Sequence, residues 1–310
     1  MPTLPGEPVS IESGEEAWLR GAYRLAPDHA VAAAAGLSLG AAVGALVVRP
    51  VHLHAGRDHL VLSPPHTITF DESESCALFE AVVDWLAQEP VTLRRLSGSL
   101  WELRENTPET TGFSGLVGAS SSRAGGRNID IWLPRGATAR VWRRLMNEVQ
   151  MLWHTHPVNL AREQLGHPPI NALWLEGAVP AGLAMPYQRV VSDDPILTAL
   201  AQASGATVSS PATWRASEAS PHDRVLFDAA FWRPQPGADA TRAWHEGWEA
   251  FEAWLAGSPR ALDETGLAGA EIVVTGEATV RRFQVPRRPG WRFWRRPASM
   301  GALLENEASG

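Results

Sequence analysis

A chain of 310 residues that is 45% hydrophobic and 20% charged can bury a real core, so global disorder is excluded. A net charge of -7 disfavours wholesale nucleic-acid binding. One cysteine, Cys76, excludes an internal disulfide or a multi-cysteine metal site, and the absence of lysine excludes a Schiff-base lysine and a Walker-type phosphate loop.

The first residues, MPTLPGEPVSIESGEE, are acidic and carry no basic, apolar leader pattern; a cytoplasmic protein is expected. Residues 15–48 read as helical, with breaks at Pro27 and Gly36. Within them Ala30 to Val48 runs 19 residues without a charge. Its Ala and Gly content gains little from lipid, so a packed, interrupted helix pair is expected and no membrane span. Two short extended runs, VHLHAG and HLVLSPP, flank Gly56-Arg57-Asp58. Asp71 with Glu74 three residues later reads as a capping box opening a helix that ends near Gln88. Cys76 falls inside it as a buried thiol.

Residues 91–104 alternate apolar and polar around Ser97-Gly98-Ser99, the pattern of a hairpin. A Gly/Ser/Thr-rich loop follows, and NIDIWLP reads as a strand. Residues 138–155 form the clearest helix. Trp142, Leu145, Met146, Val149, Leu152 and Trp153 share one face, while Arg143, Asn147, Gln150 and His154 share another. Pro157 starts a second short helix, Gly166 is its left-handed cap, Pro168-Pro169 stop it, and NALWLEG is a strand. QRVVSDD is a further strand, and Asp194-Pro195 opens the helix PILTALAQASG. In RVLFDAAFW a strand is expected. TRAWHEGWEAFEAWLAG should be an amphipathic helix with Trp244, Trp248, Phe251 and Leu255 on its apolar stripe. EIVVTG and ATVRRFQV close as a hairpin. The order of elements indicates α/β or α+β, a mixed sheet with packed helices. The organisation reads as an N-terminal helical and hairpin region (1–135), an α/β region (136–285) and an Arg/Trp-rich tail (286–310), within one continuous domain or several.

The densest polar stretch is HTHPVNLAREQLGHPPINALWLEG, His154 to Gly177. As a metal site it is poorly spaced, since His154 and His156 stand about 200° apart around a helix. As an anion cradle it offers the helix start at Pro157 to Leu160, the Arg162 guanidinium and the Asn171 amide. The competing reading is structural: Asn159 caps, Arg162 pairs with an acidic neighbour and Asn171 fixes the turn. His52 and His54 share a strand face and read as structural histidines. Asp193-Asp194 reads as a helix cap. The tail RRFQVPRRPGWRFWRRP, with Trp291, Phe293 and Trp294, either docks on the body or meets anions; no specific nucleic-acid readout is expected.

LMNEVQMLWHTHPVNLAREQLGHPPINALWLEG resembles the signature segment of archaeal-type cofactor-independent phosphoglycerate mutases, over residues 145–205. RPVHLHAGRDHLVL, the same signature and the WRFWRRP ending together resemble the RpfE-type bacterial regulatory proteins across most of the chain. The resemblance implies a reduced phosphoglycerate-mutase-like core of the alkaline-phosphatase-like superfamily. It also implies a small phosphorylated ligand held by Asn159, Arg162 and Asn171, with Gln150, His154 and His156 nearby. Two departures stand out: Glu176 occupies the place of an arginine or tryptophan, and Val179 that of a glycine. A carboxylate at that place is expected to repel phosphate. The family's two-metal ligand set and its Ser/Thr nucleophile have no counterpart in the motifs, so lost catalysis and no cofactor are expected. The alternatives are an active metal-dependent phosphomutase or phosphatase, with manganese held among His52, His54, Asp58, His59, Asp130 and His156, and a protein-interaction module built on the tryptophan-rich C-terminal half.

Overall fold

Ser13 and Asp71 begin two helices in the same way. Each side chain accepts the N–H of the third helical residue, while that residue's glutamate, Glu16 or Glu74, accepts the N–H of the cap. The first box opens α1, Gly14–Tyr23, and the second opens α3, Glu72–Leu86. The computed structural model describes residues 12–286, except 26–30, 70, 88, 90, 107–114, 216–217, 221, 277 and most of 229–268.

Between α1 and α3 lie α2 (Val31–Ser38), β1 (Leu46–Val51), β2 (Leu53–Ala55) and β3 (Leu60–Leu62). After α3 come β4 (Val91–Arg95), β5 (Trp101–Glu105) and the short α4 (Ser121–Ala124). Then follow α5 (Ala139–His154), α6 (Pro157–Gln164), β6 (Ala172–Ala178), β7 (Arg189–Val191), α7 (Pro195–Ser204), β8 (Thr207–Ser209), β9 (Val225–Phe227), β10 (Gly269–Thr275) and β11 (Val280–Pro286). The principal sheet runs β4-β5-β1-β6 and is antiparallel throughout; β8-β7-β9 form a small parallel sheet joined by the α7 crossover. The architecture is the expected mix of helices and strands, with antiparallel and parallel pairing in separate sheets. The hairpins β4-β5 and β10-β11 stand where the alternating runs placed them.

The main core fills the space between one face of the principal sheet and helices α3 and α5. From α5 it takes Trp142, Leu145, Met146, Val149 and Trp153, the face that the 3.6-residue period marks. Trp153 meets Trp101 edge-on at 5.9 Å, and Trp101 meets Phe79 at 5.2 Å. The Trp153 indole also donates to the Leu78 carbonyl at 3.0 Å, tying α5 to α3. On the opposite face α2 packs Ala33 and Ala35 near Val47 and Val179, while its Val31 and Ala34 join α1 and α7. A helix buried on both sides has no polar face, which accounts for the uncharged Ala-rich run. Gly36 makes this approach possible: a Cβ there would stand 2.9 Å from the Val47 side chain. Among the described residues no helix is long and apolar enough to cross a membrane.

Three expectations fail. Cys76 is only half-buried, and its thiol donates to the Glu80 carboxylate one turn further on. The helical reading of 15–48 holds only to Ser38. Gly40 and Gly44 then take positive φ, 76° and 79°, and residues 46–48 become the start of β1. Valines 47 and 48 gain there a partner strand on each side. Pro50 is tolerated because β5 pairs only with residues 46–48, which leaves the proline facing a single neighbour. NIDIWLP is no strand either. The Asn128 side chain accepts the Asp130 N–H and starts a 3-10 turn, Ile129–Ile131. Ile129 and Trp132, three apart, are buried, and Ile131 between them is exposed. β8 was not anticipated. The stripe Trp244, Trp248, Phe251 and Leu255, the end of RVLFDAAFW and the tail 287–310 lie outside the described residues.

Trp153→Ala should lower unfolding free energy by about 3–5 kcal/mol, read from chemical denaturation, since it empties the centre of the core and removes the indole bond that ties α5 to α3. Trp153→Phe should cost clearly less.

Candidate functional site

His154 ends α5, and one residue later His156 caps α6. The His156 Nδ1 accepts the Val158 N–H at 3.2 Å, so the ring is neutral with its proton on Nε2. Burial pushes its pKa below the ordinary histidine value in the same direction. Pro157 has no N–H to offer. The start of α6 therefore presents few free donors to an anion.

Asn159 is buried. Its Nδ2 donates to the Trp153 carbonyl at 2.9 Å and the Ile170 carbonyl at 2.7 Å, and its Oδ1 accepts the Ile170 N–H at 2.8 Å. Arg162, with a side chain only 3% exposed, donates Nε to the Pro168 carbonyl at 2.8 Å, Nη2 to the Thr69 carbonyl at 3.1 Å and Nη1 to the Glu74 carboxylate at 2.9 Å. Glu74 thus serves both the capping box of α3 and the guanidinium of α6. Asn171 pairs its amide with both backbone groups of Leu53, at 2.7 and 2.8 Å. The turn between α6 and β6 closes on Gly166, whose φ is 74°, as its glycine promised.

The signature residues converge, and each of the three donates to protein. They form a latch holding the loop 166–171 against α3, β2 and the end of α5. Beside it lies an open groove of about 650 Å³. Asn147, Gln150, Met151 and His154 of α5 form one wall; Glu163, Pro169 and Asn171 contribute to the other. Gln150 and His154, anticipated from sequence, line this groove; Arg162 and His156 do not. Asn147 shares the helix face of Gln150 and His154 in the sequence pattern, whereas Glu163 carries no such mark. The i, i+3, i+7 spacing of 147, 150 and 154 is the signal that finds the first.

His52 adds a neighbour. Its Nδ1 lies 2.7 Å from the Pro169 carbonyl, and its ring stacks 5.8 Å from that of His54. Burial pushes the His52 pKa down; the Pro169 bond opposes this, while His54 and Arg162 add to it.

The six residues of the metal alternative scatter over several roles. His52 and His54 stack, Asp58 and His59 pair with each other at 2.6 Å, Asp130 is exposed beyond Asn128, and His156 caps α6. Among the described residues no three His, Cys, Asp or Glu side chains gather to hold a metal ion. Asp194 caps α7 by accepting the N–H groups of Ile196 and Leu197, as read from its proline neighbour. Glu176 does not face the groove. It is buried against Arg49, at 2.6 Å, and accepts from the Ser121 backbone and hydroxyl. The repulsion expected from this carboxylate therefore falls elsewhere: strand alternation turns it toward α4.

No protein-family model matches the chain, and no curated protein does. Among solved structures, the PH0037 protein from Pyrococcus horikoshii resembles it with a TM-score of 0.44 and 14% identity, over 85% of this chain and 66% of that one. A cofactor-independent phosphoglycerate mutase from Thermoplasma acidophilum resembles it with a TM-score of 0.37 and 17% identity, over 63% of this chain and 57% of that one. The chain spans less than two thirds of the length of either. Resemblance at this level transfers neither an activity nor a site.

Arg162→Ala should destabilise the fold by about 3–5 kcal/mol, because Glu74 and two carbonyls lose their shared donor; Arg162→Lys should recover little of it. Gln150→Ala and His154→Ala should stay within about 0.5 kcal/mol of the parent. Denaturant titration separates the two classes.

A pKa lowered on folding means that the folded chain binds fewer protons than the unfolded one. His52 therefore contributes stability that is complete above the ordinary histidine range and is lost as pH falls through its folded value. Stability measured from about pH 7 down to pH 5 should drop less steeply in His52→Gln than in the parent. Parallel curves would remove His52 as a source of the slope.

Proposed function

We propose that this chain is a cytoplasmic, non-catalytic regulatory or accessory protein of the RpfE type, with a reduced phosphoglycerate-mutase-like core. Its ligand is a small phosphorylated or carboxylated metabolite seated in the groove beside α5. Gln150 and His154 face that ligand, and Asn147 extends the same wall. Asn159, Arg162 and Asn171 act as positioning residues, with His156 fixing the start of α6.

The observation that carries this reading is the latch. The side chains shared with the mutase signature shape a groove, but their donors are committed to backbone and to Glu74. Phosphotransfer needs groups that meet charge as it develops in the transition state. Carboxamides and an imidazole on a helix face suit binding without that demand. Glu163, in the opposite wall, narrows the ligand class: it favours a compound that carries a hydroxyl or amine donor beside its anionic group.

Calorimetric titration of the full chain with 3-phosphoglycerate, and with inorganic phosphate as reference, tests the site. Binding of 3-phosphoglycerate should exceed that of phosphate and should weaken about tenfold in Gln150→Ala/His154→Ala. Equal affinity of parent and double variant would remove the groove from the proposal. Turnover of 3-phosphoglycerate with added manganese, abolished by chelator, would instead overturn the non-catalytic half and restore the metal-dependent alternative.

A further inference from the structure

The outer face of α5 begins, before it reaches the groove, with Arg140, Arg143 and Arg144. All three are exposed and make no hydrogen bond or ion pair among the described residues. Glu148, four residues beyond Arg144, is half-buried and pairs with neither. Helix stability gives no reason for this placement. The first turn of α5 holds no acidic residue, and the Thr138 side chain provides no cap bond. Three cations therefore stand toward the positive end of the helix dipole, at spacings of three and four residues where like charges repel. Apolar side chains are interspersed. Val141 is 41% exposed on the same helix. Ile131 and Val117, also exposed, flank Arg135, which leads into α5: Val117 and Arg135 pair their backbones, and the Arg135 guanidinium reaches the Ile131 carbonyl.

We propose that this face of α5 docks an acidic segment of a partner protein, one in which Asp or Glu alternates with apolar residues. Guanidinium forks match carboxylates two bonds at a time. Arg140 to Arg144 span only about 6 Å of helix axis, enough for two or three carboxylates and short for a phosphate track. A chain of net charge -7 repels an extended polyanion, while a local basic patch on it still selects a short acidic one. Val141, between the arginines in sequence, gives an apolar residue of such a segment a contact that a nucleic acid would leave unused, and Ile131 and Val117 stand exposed beside Arg135, five residues before Arg140. None of the three arginines lines the groove, so this surface stands whether or not the groove binds a metabolite.

The test uses the full chain, the variant R140E/R143E/R144E and the single variant R144E, each checked for a single cooperative thermal transition no lower than the parent's. Fluorescence anisotropy reads binding of a labelled peptide in which Glu alternates with Leu and Phe. Comparison probes are its Gln counterpart, its Arg counterpart, a single-stranded oligonucleotide and phosphatidylserine-containing vesicles. The parent should bind the Glu peptide at least about tenfold more tightly than the triple variant, with R144E between them and affinity falling as salt rises. The triple variant should take the Arg peptide instead. Equal affinity of parent and charge-reversed chains for the Glu peptide would overturn the proposal, as would a parent that prefers the oligonucleotide or the vesicles.

Discussion

A nearly dry guanidinium holds the corner on which the groove is built. Removing a cation from water costs several kcal/mol unless its donors are matched, and Arg162 is matched by a carboxylate and two carbonyls. Those acceptors belong to α3, to the segment before it and to the loop before β6. One side chain thus fixes three pieces of chain that share no secondary structure. Asn159 and Asn171 extend the principle. Each presents a carboxamide to both backbone groups of one residue, Ile170 or Leu53, as a neighbouring strand would. The loop 166–171 has no regular structure, yet side chains satisfy its backbone and set the groove wall.

The same economy governs the far face of the sheet. Glu102 and Glu176 are buried carboxylates on β5 and β6, the two strands that flank β1. Each pairs with an arginine whose stem reaches toward solvent: Arg94 for the first, Arg49 for the second. Each also accepts a backbone N–H, from Ala42 or Ser121. The sheet therefore anchors the loop after α2 and the start of α4 through charge-assisted bonds. The Glu176 carboxylate thus answers to Arg49 and α4.

Sequence was legible where the deciding physics is local. The Asp71 box, the Gly166 cap, the Asp194-Pro195 helix start and the α5 face all follow from contacts within a few residues. It misled where distant partners decide. Residues 46–48 carry an apolar run consistent with either helix or strand, and pairing with β5 and β6 settles it. At Asn128 a side-chain bond overrides the alternating pattern. For the site, the stretch from His154 to Asn171 drew attention correctly, but whether its donors were free was beyond reach. Arg162 meets Glu74 across 88 residues, and Asn171 meets Leu53 across 118.

In a chain without lysine arginine is the only permanently charged cationic side chain, and it serves opposite purposes here. Where carboxylate and carbonyl acceptors surround it, as at Arg162, the planar fork spans all of them and becomes architecture, a task that the single ammonium of lysine could not perform. Where no acceptor among the described residues meets it, as at Arg140, Arg143 and Arg144, the same group stands exposed beside like charges, and its fork suits a carboxylate from outside. What separates the two fates is the presence of an acceptor, not the residue type. A motif arginine in a sequence is therefore evidence of a ligand only after the acceptors of its own fold have been counted.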